Sequence, residues 1–180
     1  GVNSGSVSIF DVYSGSAVFS VAPNSGVANQ SFGSTVSLGI YNLAICASGE
    51  AAAYMYSYST GVDGVYSFDL VVKLAPGVSQ YCASASIYEG SEASAPEAPM
   101  SATSVIGAPG ASSNKGAVYV YTAPVASSPV WSSQAVLQPT DAGATYFGQS
   151  VSLYTTRLVS NVTCMCVCAY QRARDGGDVV

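Results

Sequence analysis

Residues 116–121 read Gly116-Ala117-Val118-Tyr119-Val120-Tyr121. Valine alternates with tyrosine, so an extended strand here carries apolar or aromatic side chains on both faces. Such a strand needs cover on both sides, as when sheets stack face to face. β-Branched and aromatic residues also favour a pleated, packed surface. The pattern of small residues followed by alternating large ones stands twice more, as Gly5-Ser6-Val7-Ser8-Ile9-Phe10 and as Ala51-Ala52-Ala53-Tyr54-Met55-Tyr56.

A second unit recurs beside it. Phe32-Gly33-Ser34-Thr35-Val36-Ser37-Leu38 returns as Phe147-Gly148-Gln149-Ser150-Val151-Ser152-Leu153, and in decayed form as Tyr81-Cys82-Ala83-Ser84-Ala85-Ser86-Ile87. Here apolar and hydroxyl residues alternate, which marks a half-polar strand. From the last aromatic of the first unit to the next Phe or Tyr of the second, the gaps are 22, 25 and 26 residues. Phe68 precedes Leu74 as Trp131 precedes Leu137, with Pro76 and Pro139 following. Elements kept in one order at a near-constant period are a repeat. Gly, Ser, Pro and Asn clusters punctuate the strands, and no helical stripe emerges, so the expected fold class is all-β.

Composition excludes several functions. The 180 residues are 49% hydrophobic and only 8% charged, which is no disordered chain. His is absent, so histidine-dependent catalysis and His-ligated metals are excluded. Five basic residues and a net charge of −5 leave almost nothing for a nucleic-acid surface. No run of about eighteen apolar residues predicts membrane insertion. The chain opens at Gly1 in strand-like sequence, and a fragment or processed form is expected. The cysteines are Cys46, Cys82, Cys164, Cys166 and Cys168, an odd set that does not suggest a closed disulfide framework. The one-residue spacing at 164–168 puts these thiols on one strand face, poor geometry for a tetrahedral ion.

Val105-Ile106-Gly107-Ala108-Pro109-Gly110-Ala111, the Val-Tyr strand, Trp131, Leu137 and Phe147-Gly148 together resemble FG-GAP repeats, the blades of the integrin-alpha type β-propeller. The Phe-Gly signature stands at Phe147-Gly148 and Phe32-Gly33, and Gly-Ala-Pro at Gly107, Ala108 and Pro109. Cys46-Ala47-Ser48 replaces Gly-Ala-Pro in one copy, and Tyr81-Cys82 replaces Phe-Gly in another. The resemblance covers roughly residues 5–154. It implies antiparallel four-stranded blades forming an incomplete β-propeller. The innermost strand carries Phe-Gly, the second ends in Gly-Ala-Pro, the third is the Val-Tyr strand, and the outer one carries Trp131. Residues 1–22 become a part-blade, 32–75 and 81–138 whole blades, and 147–153 the start of another. Propellers close with roughly four to eight blades. Further blades or a partner chain are therefore needed to close this one.

Many members of this family bind calcium in the loop between the first two strands, through D-x-[DN]-x-D-G. Neither Gly39-Ile40-Tyr41 nor the stretch 89–103 carries that pattern, so no cofactor is expected. Glu89, Glu92 and Glu97 read as a solvated acidic loop. Residues 110–116 lack the Walker Gly-Lys-[Ser/Thr], since Ala117 follows Gly116, and read as a hairpin loop. Asp63-Gly64 marks a further turn. Before residue 157 the lysines are Lys73 and Lys115, neither of which reads as an activated base, so no catalytic residues are expected. Asn29-Gln30-Ser31 and Asn161-Val162-Thr163 fit the N-glycosylation pattern. Tyr13, Tyr41, Tyr58 and Tyr88 offer rings for ligand stacking or for packing.

After Leu153 the repeat breaks down. Residues 154–180 read either as a degenerate, non-native tail, a read-through or mis-spliced end, or as a divergent last blade. By resemblance the chain is a non-catalytic extracellular or cell-surface binding module, adhesion-like, contacting a protein or glycan ligand through propeller loops. Two alternatives stand beside it: an accessory propeller of a secreted hydrolase, and an incomplete gene product without independent function.

Overall fold

The computed structural model describes residues 4–23, 28–60, 66–90, 101–125, 129–154, 157–162 and 165–170. It is all-β, built from antiparallel sheets in chain order. β1 (Val7–Phe10) and β2 (Ala17–Val21) form a two-stranded sheet. β3 (Phe32–Leu38), β4 (Asn42–Ala47), β5 (Ala52–Thr60) and β6 (Tyr66–Leu74) form a four-stranded sheet in sequential order. β7 (Ser84–Gly90), β8 (Ser101–Ala108), β9 (Ala117–Pro124) and β10 (Ser132–Leu137) repeat that topology. β11 (Val151–Tyr154), β12 (Arg157–Val162) and β13 (Met165–Tyr170) form a three-stranded sheet. The last two strands lie in the segment read as a degenerate tail.

The alternation of side chains decides how the sheets stack. In the β3–β6 sheet, Leu43, Ile45, Ala47 and Tyr56 share one face and pack with Val7, Ile9, Phe19 and Val21 of the first sheet. Its other face carries Ala44, Cys46, Ala53 and Met55, which pack with Ile87, Ile106, Tyr121 and Trp131. The Val-Tyr strand is covered on both faces. Tyr119 and Tyr121 belong to this second cluster, whereas Val118 and Val120 pack with Phe147, Val151 and Leu153 of the next sheet. Trp131 is buried one residue ahead of β10.

The half-polar strands β3, β7 and β11 lie at the sheet edges and make a seam there. Ser37 Oγ accepts the amide of Ile87 at 2.9 Å, and one sheet further on Ser86 Oγ accepts the amide of Leu153 at 3.1 Å. Thr35 Oγ1 donates to the Ala83 carbonyl, and Ser84 Oγ to that of Gly148. A hydroxyl on one edge strand thus satisfies backbone of the next sheet's edge strand, which accounts for Ser and Thr where a two-sided apolar strand would otherwise stand.

One junction is closed differently. At the later junction Gly107 lies directly against the Gly148 carbonyl, and an added Cβ would overlap it. At the earlier junction the corresponding positions are Cys46 and Cys82, and they form a disulfide with Cα atoms 5.3 Å apart. The odd cysteine count did not suggest this pair; parity says only that one thiol is left over. Cys82 has φ 63° where Gly148 has φ 90°, so the cysteine holds a left-handed conformation that glycine adopts freely.

Residues 110–116 join β8 to β9 through a tight turn, in which Ser112, Ser113 and Asn114 have positive φ of 51°, 58° and 69°.

Candidate binding end of the sheet stack

β1, β3, β7 and β11 run in the same direction. Parallel bridges join Gly5 to Phe32 and Gly116 to Phe147, and the hydroxyl bonds of the edge seam advance together along both strands. The β1–β2 connection, the β3–β4 turn and the end of β11 therefore share one end of the stack. That end carries exposed large side chains: Val12 at 87%, Tyr13 at 97%, Ile40 at 64% and Tyr154 at 73% exposure. Tyr41 is partly exposed beside Ile40. Aromatic rings with a hydroxyl at the rim suit contact with amphipathic ligands.

Two carboxylates hold these loops. Asp11 Oδ1 accepts the amides of Tyr13 at 3.0 Å and Ser14 at 2.7 Å, an Asx-type turn that presents Tyr13. Hydrogen bonds from Ser14 and Tyr13 hold the Asp11 carboxyl below its ordinary range, against a small opposing effect of burial. Glu89 acts on the neighbouring loop. It is buried in β7 and accepts the Tyr41 amide and Asn42 Nδ2, both at 2.7 Å. The expectation that Glu89 belongs to a solvated loop is corrected: the stacking of β7 on β3 carries it beneath the adjacent turn, where Gly39 leaves room for the carboxylate. Glu92 and Glu97 lie outside the described residues.

Replacing Glu89 by Met keeps the volume and takes the acceptor from the part-buried Tyr41 amide and the buried Asn42 Nδ2. The expected cost is about 2 kcal/mol of stability. Hydrogen exchange should show the Tyr41 amide losing protection while the Ile106 amide keeps it.

A second polar cluster lies at the opposite end, in the β4–β5 turn. Lys73 Nζ pairs with Glu50 Oε1, and Glu50 Oε2 accepts Tyr54 Oη at 2.6 Å and Gln30 Nε2 at 3.2 Å. Burial pushes the Glu50 carboxyl up, but Lys73, Tyr54 and Gln30 outweigh it and the net shift is downward. The bond to Glu50 holds the Lys73 ammonium above its ordinary range, so this lysine is a held cation. Deeper in the stack, Tyr81 donates to Tyr121 Oη at 3.0 Å, and burial raises both phenols.

The signature residues of the sequence do not converge on one site. Phe32 and Phe147 are buried, Gly33 and Gly148 follow them at positive φ, and Gly107, Ala108 and Pro109 close β8. They form the seams between sheets. Asn29 is exposed at φ 64°, and Asn161 lies in β12. Tyr58 meets Phe68, and Tyr88 meets Tyr154, edge to face, with ring centroids 5.5 and 5.9 Å apart. Cys166 and Cys168 lie in β13; Cys164 and the Asp63-Gly64 turn lie outside the described residues. Among the described residues, no group of three or more His, Cys, Asp or Glu is placed to hold a metal ion. Sequence reasoning missed the role of Glu89 in holding the β3–β4 turn. The available signal was a lone Glu ending an otherwise uncharged Ser-Ala-Ser-Ile-Tyr strand.

No family model and no curated protein matches the chain.

Proposed function

We propose that the chain is part of an FG-GAP type β-propeller and serves as a non-catalytic binding module at the cell surface or outside the cell. Its partner is a protein or glycan, met by the end of the stack that carries Tyr13, Ile40 and Tyr41. The observation that carries this reading is the pinning of exposed apolar loops by carboxylates bound to their own backbone, around Asp11 and Glu89. Such loops hold a surface ready for contact at low ordering cost. Large exposed side chains gathered at one end, Val12, Tyr13 and Ile40 among them, suit contact with a partner. The Cys46–Cys82 disulfide supports an oxidising compartment. No calcium is assigned, because the β3–β4 turn aims amide donors at Glu89 where a cation would need oxygens.

The test is binding of the whole chain to arrays of immobilised glycans and of secreted protein ectodomains. Saturable binding to a probe, weakened tenfold or more by Tyr13→Ser with Tyr41→Ser and with circular dichroism unchanged, is the expected result. Binding to no probe, or binding indifferent to both substitutions, overturns the reading.

A further inference from the structure

Three consecutive residues ahead of β3 alternate between the outside and the inside of the fold. Asn29 and Ser31 are exposed, whereas Gln30 between them is only 2% exposed. The buried residue is the anchor. Gln30 Nε2 donates to Glu50 Oε2 at 3.2 Å, and the Gln30 carbonyl accepts the Gly49 amide at 3.1 Å. Gly49 lies so close to the Asn29 carbonyl that an added Cβ would overlap it. Asn29 has φ 64°, a left-handed conformation that Asn tolerates better than most residues. The turn is thus pinned through its middle residue, and the residues on either side of it meet solvent.

We infer that Asn29 is an N-glycosylation acceptor and carries an N-linked oligosaccharide at this turn. The modification rests on the extracellular reading above, which supplies the compartment of the donor. That donor is an oligosaccharide on a polyprenyl diphosphate. Asn29 Nδ2 forms a bond to the anomeric carbon of the first sugar, and the bond from that carbon to the diphosphate oxygen breaks. Nδ2 gives up one proton, which balances the charge of the leaving lipid diphosphate. Ser31 supplies the hydroxyl that the Asn-x-Ser pattern requires. The product keeps one N–H on Nδ2 and the side-chain carbonyl, so the side chain retains a donor and an acceptor. A bulky, hydrated group needs a surface position in the finished fold, and Asn29 has one. Asn161 fits the same pattern but stands in β12, the middle strand of its sheet, and Thr163 lies outside the described residues, so no modification is assigned there.

Strand direction places this glycan away from the contact loops. Asn29 comes before the first residue of β3, and Ile40 and Tyr41 come after the last. Seven residues at about 3.3 Å each set the two ends roughly 23 Å apart. The oligosaccharide therefore hydrates the end of the stack opposite the exposed tyrosines, in a chain of which only 8% is charged.

The test expresses the full chain behind a cleavable secretion leader in cultured animal cells, with Asn161→Gln leaving Asn29 as the one Asn-x-Ser/Thr acceptor. Peptide N-glycosidase, which removes whole N-linked oligosaccharides, should lower the apparent mass of the product. Asn29→Gln and Ser31→Ala should each abolish that shift, and Ser31→Thr should keep it. The native protein should release its glycan without denaturant, as an exposed turn requires. A chain unchanged by the enzyme overturns the proposal, as does a shift that survives Asn29→Gln or a glycan released only after denaturation. The shift is read in the cell-associated fraction as well as in the medium, so a variant retained in the cell still answers. An unmodified chain that binds an array probe through Tyr13 and Tyr41 fails this inference alone and leaves the binding-module reading standing. A modified chain that binds no probe does the reverse.

Discussion

Replacing both Cys46 and Cys82 by alanine is expected to cost about 4 kcal/mol, from the entropy the unfolded chain regains when a loop of this size is opened. The bond spans a sequence separation of 36, and among the described residues it is the one cross-link that supplements the backbone between the β3–β6 sheet and the next. A domain of ordinary stability holds only about 5–15 kcal/mol in all, so the loss is a large share. Urea unfolding with and without reductant measures it, and reduced wild type should match the double variant. A refinement separates the bond from its backbone. Cys82 sits at φ 63°, which costs a non-glycine residue about 1 kcal/mol. Cys46→Ala with Cys82→Gly should therefore recover about that much relative to the double alanine variant. Equal stability of reduced and oxidised protein would sink the expectation.

The second large effect is at the junction where glycines stand in place of the disulfide. Gly107→Ala is expected to cost about 3 kcal/mol, because its Cβ would overlap the Gly148 carbonyl and a backbone atom held by two strands cannot step aside. Gly107 is absent from the positive-φ residues, so the penalty comes from crowding and not from the dihedral. Gly77→Ala is the control. Gly77 has φ 76° and nothing within contact of an added Cβ, so it should lose only about 1 kcal/mol through its dihedral. Comparable losses at both positions would mean that the Gly107–Gly148 approach carries no special weight.

The stacking was legible in side-chain alternation. The Val-Tyr strand divides its valines and tyrosines between two clusters, as two-sided cover requires. The Thr35/Ser37 face of the half-polar strand was legible as polar, but its destination was not. A hydroxyl that meets water and one that meets the next strand's amide look alike in sequence. The same holds for Val36 and Leu38, whose pattern matches that of Ile87 and Leu153 although their surroundings differ. The disulfide was hidden for a related reason: the two thiols meet across a sheet-to-sheet junction, and neither count nor spacing encodes that junction. Glu89 was misread because acidity near a Pro-rich stretch suggests solvent, while the hydrogen bonds that keep it buried come from a turn about fifty residues earlier. In the candidate binding end, Tyr13 and Tyr41 were named from sequence, but their placement at one end followed only from strand direction.

The hydroxyl seam has a geometric consequence. Between the β3–β6 and β7–β10 sheets the edge strands β3 and β7 meet through a serine side chain touching an amide. Farther out the same two sheets are held apart by Tyr121, Trp131 and Met55. Toward β3 and β7 the contact is thus a hydroxyl meeting an amide, and toward β9 and β10 it is a layer of aromatic rings.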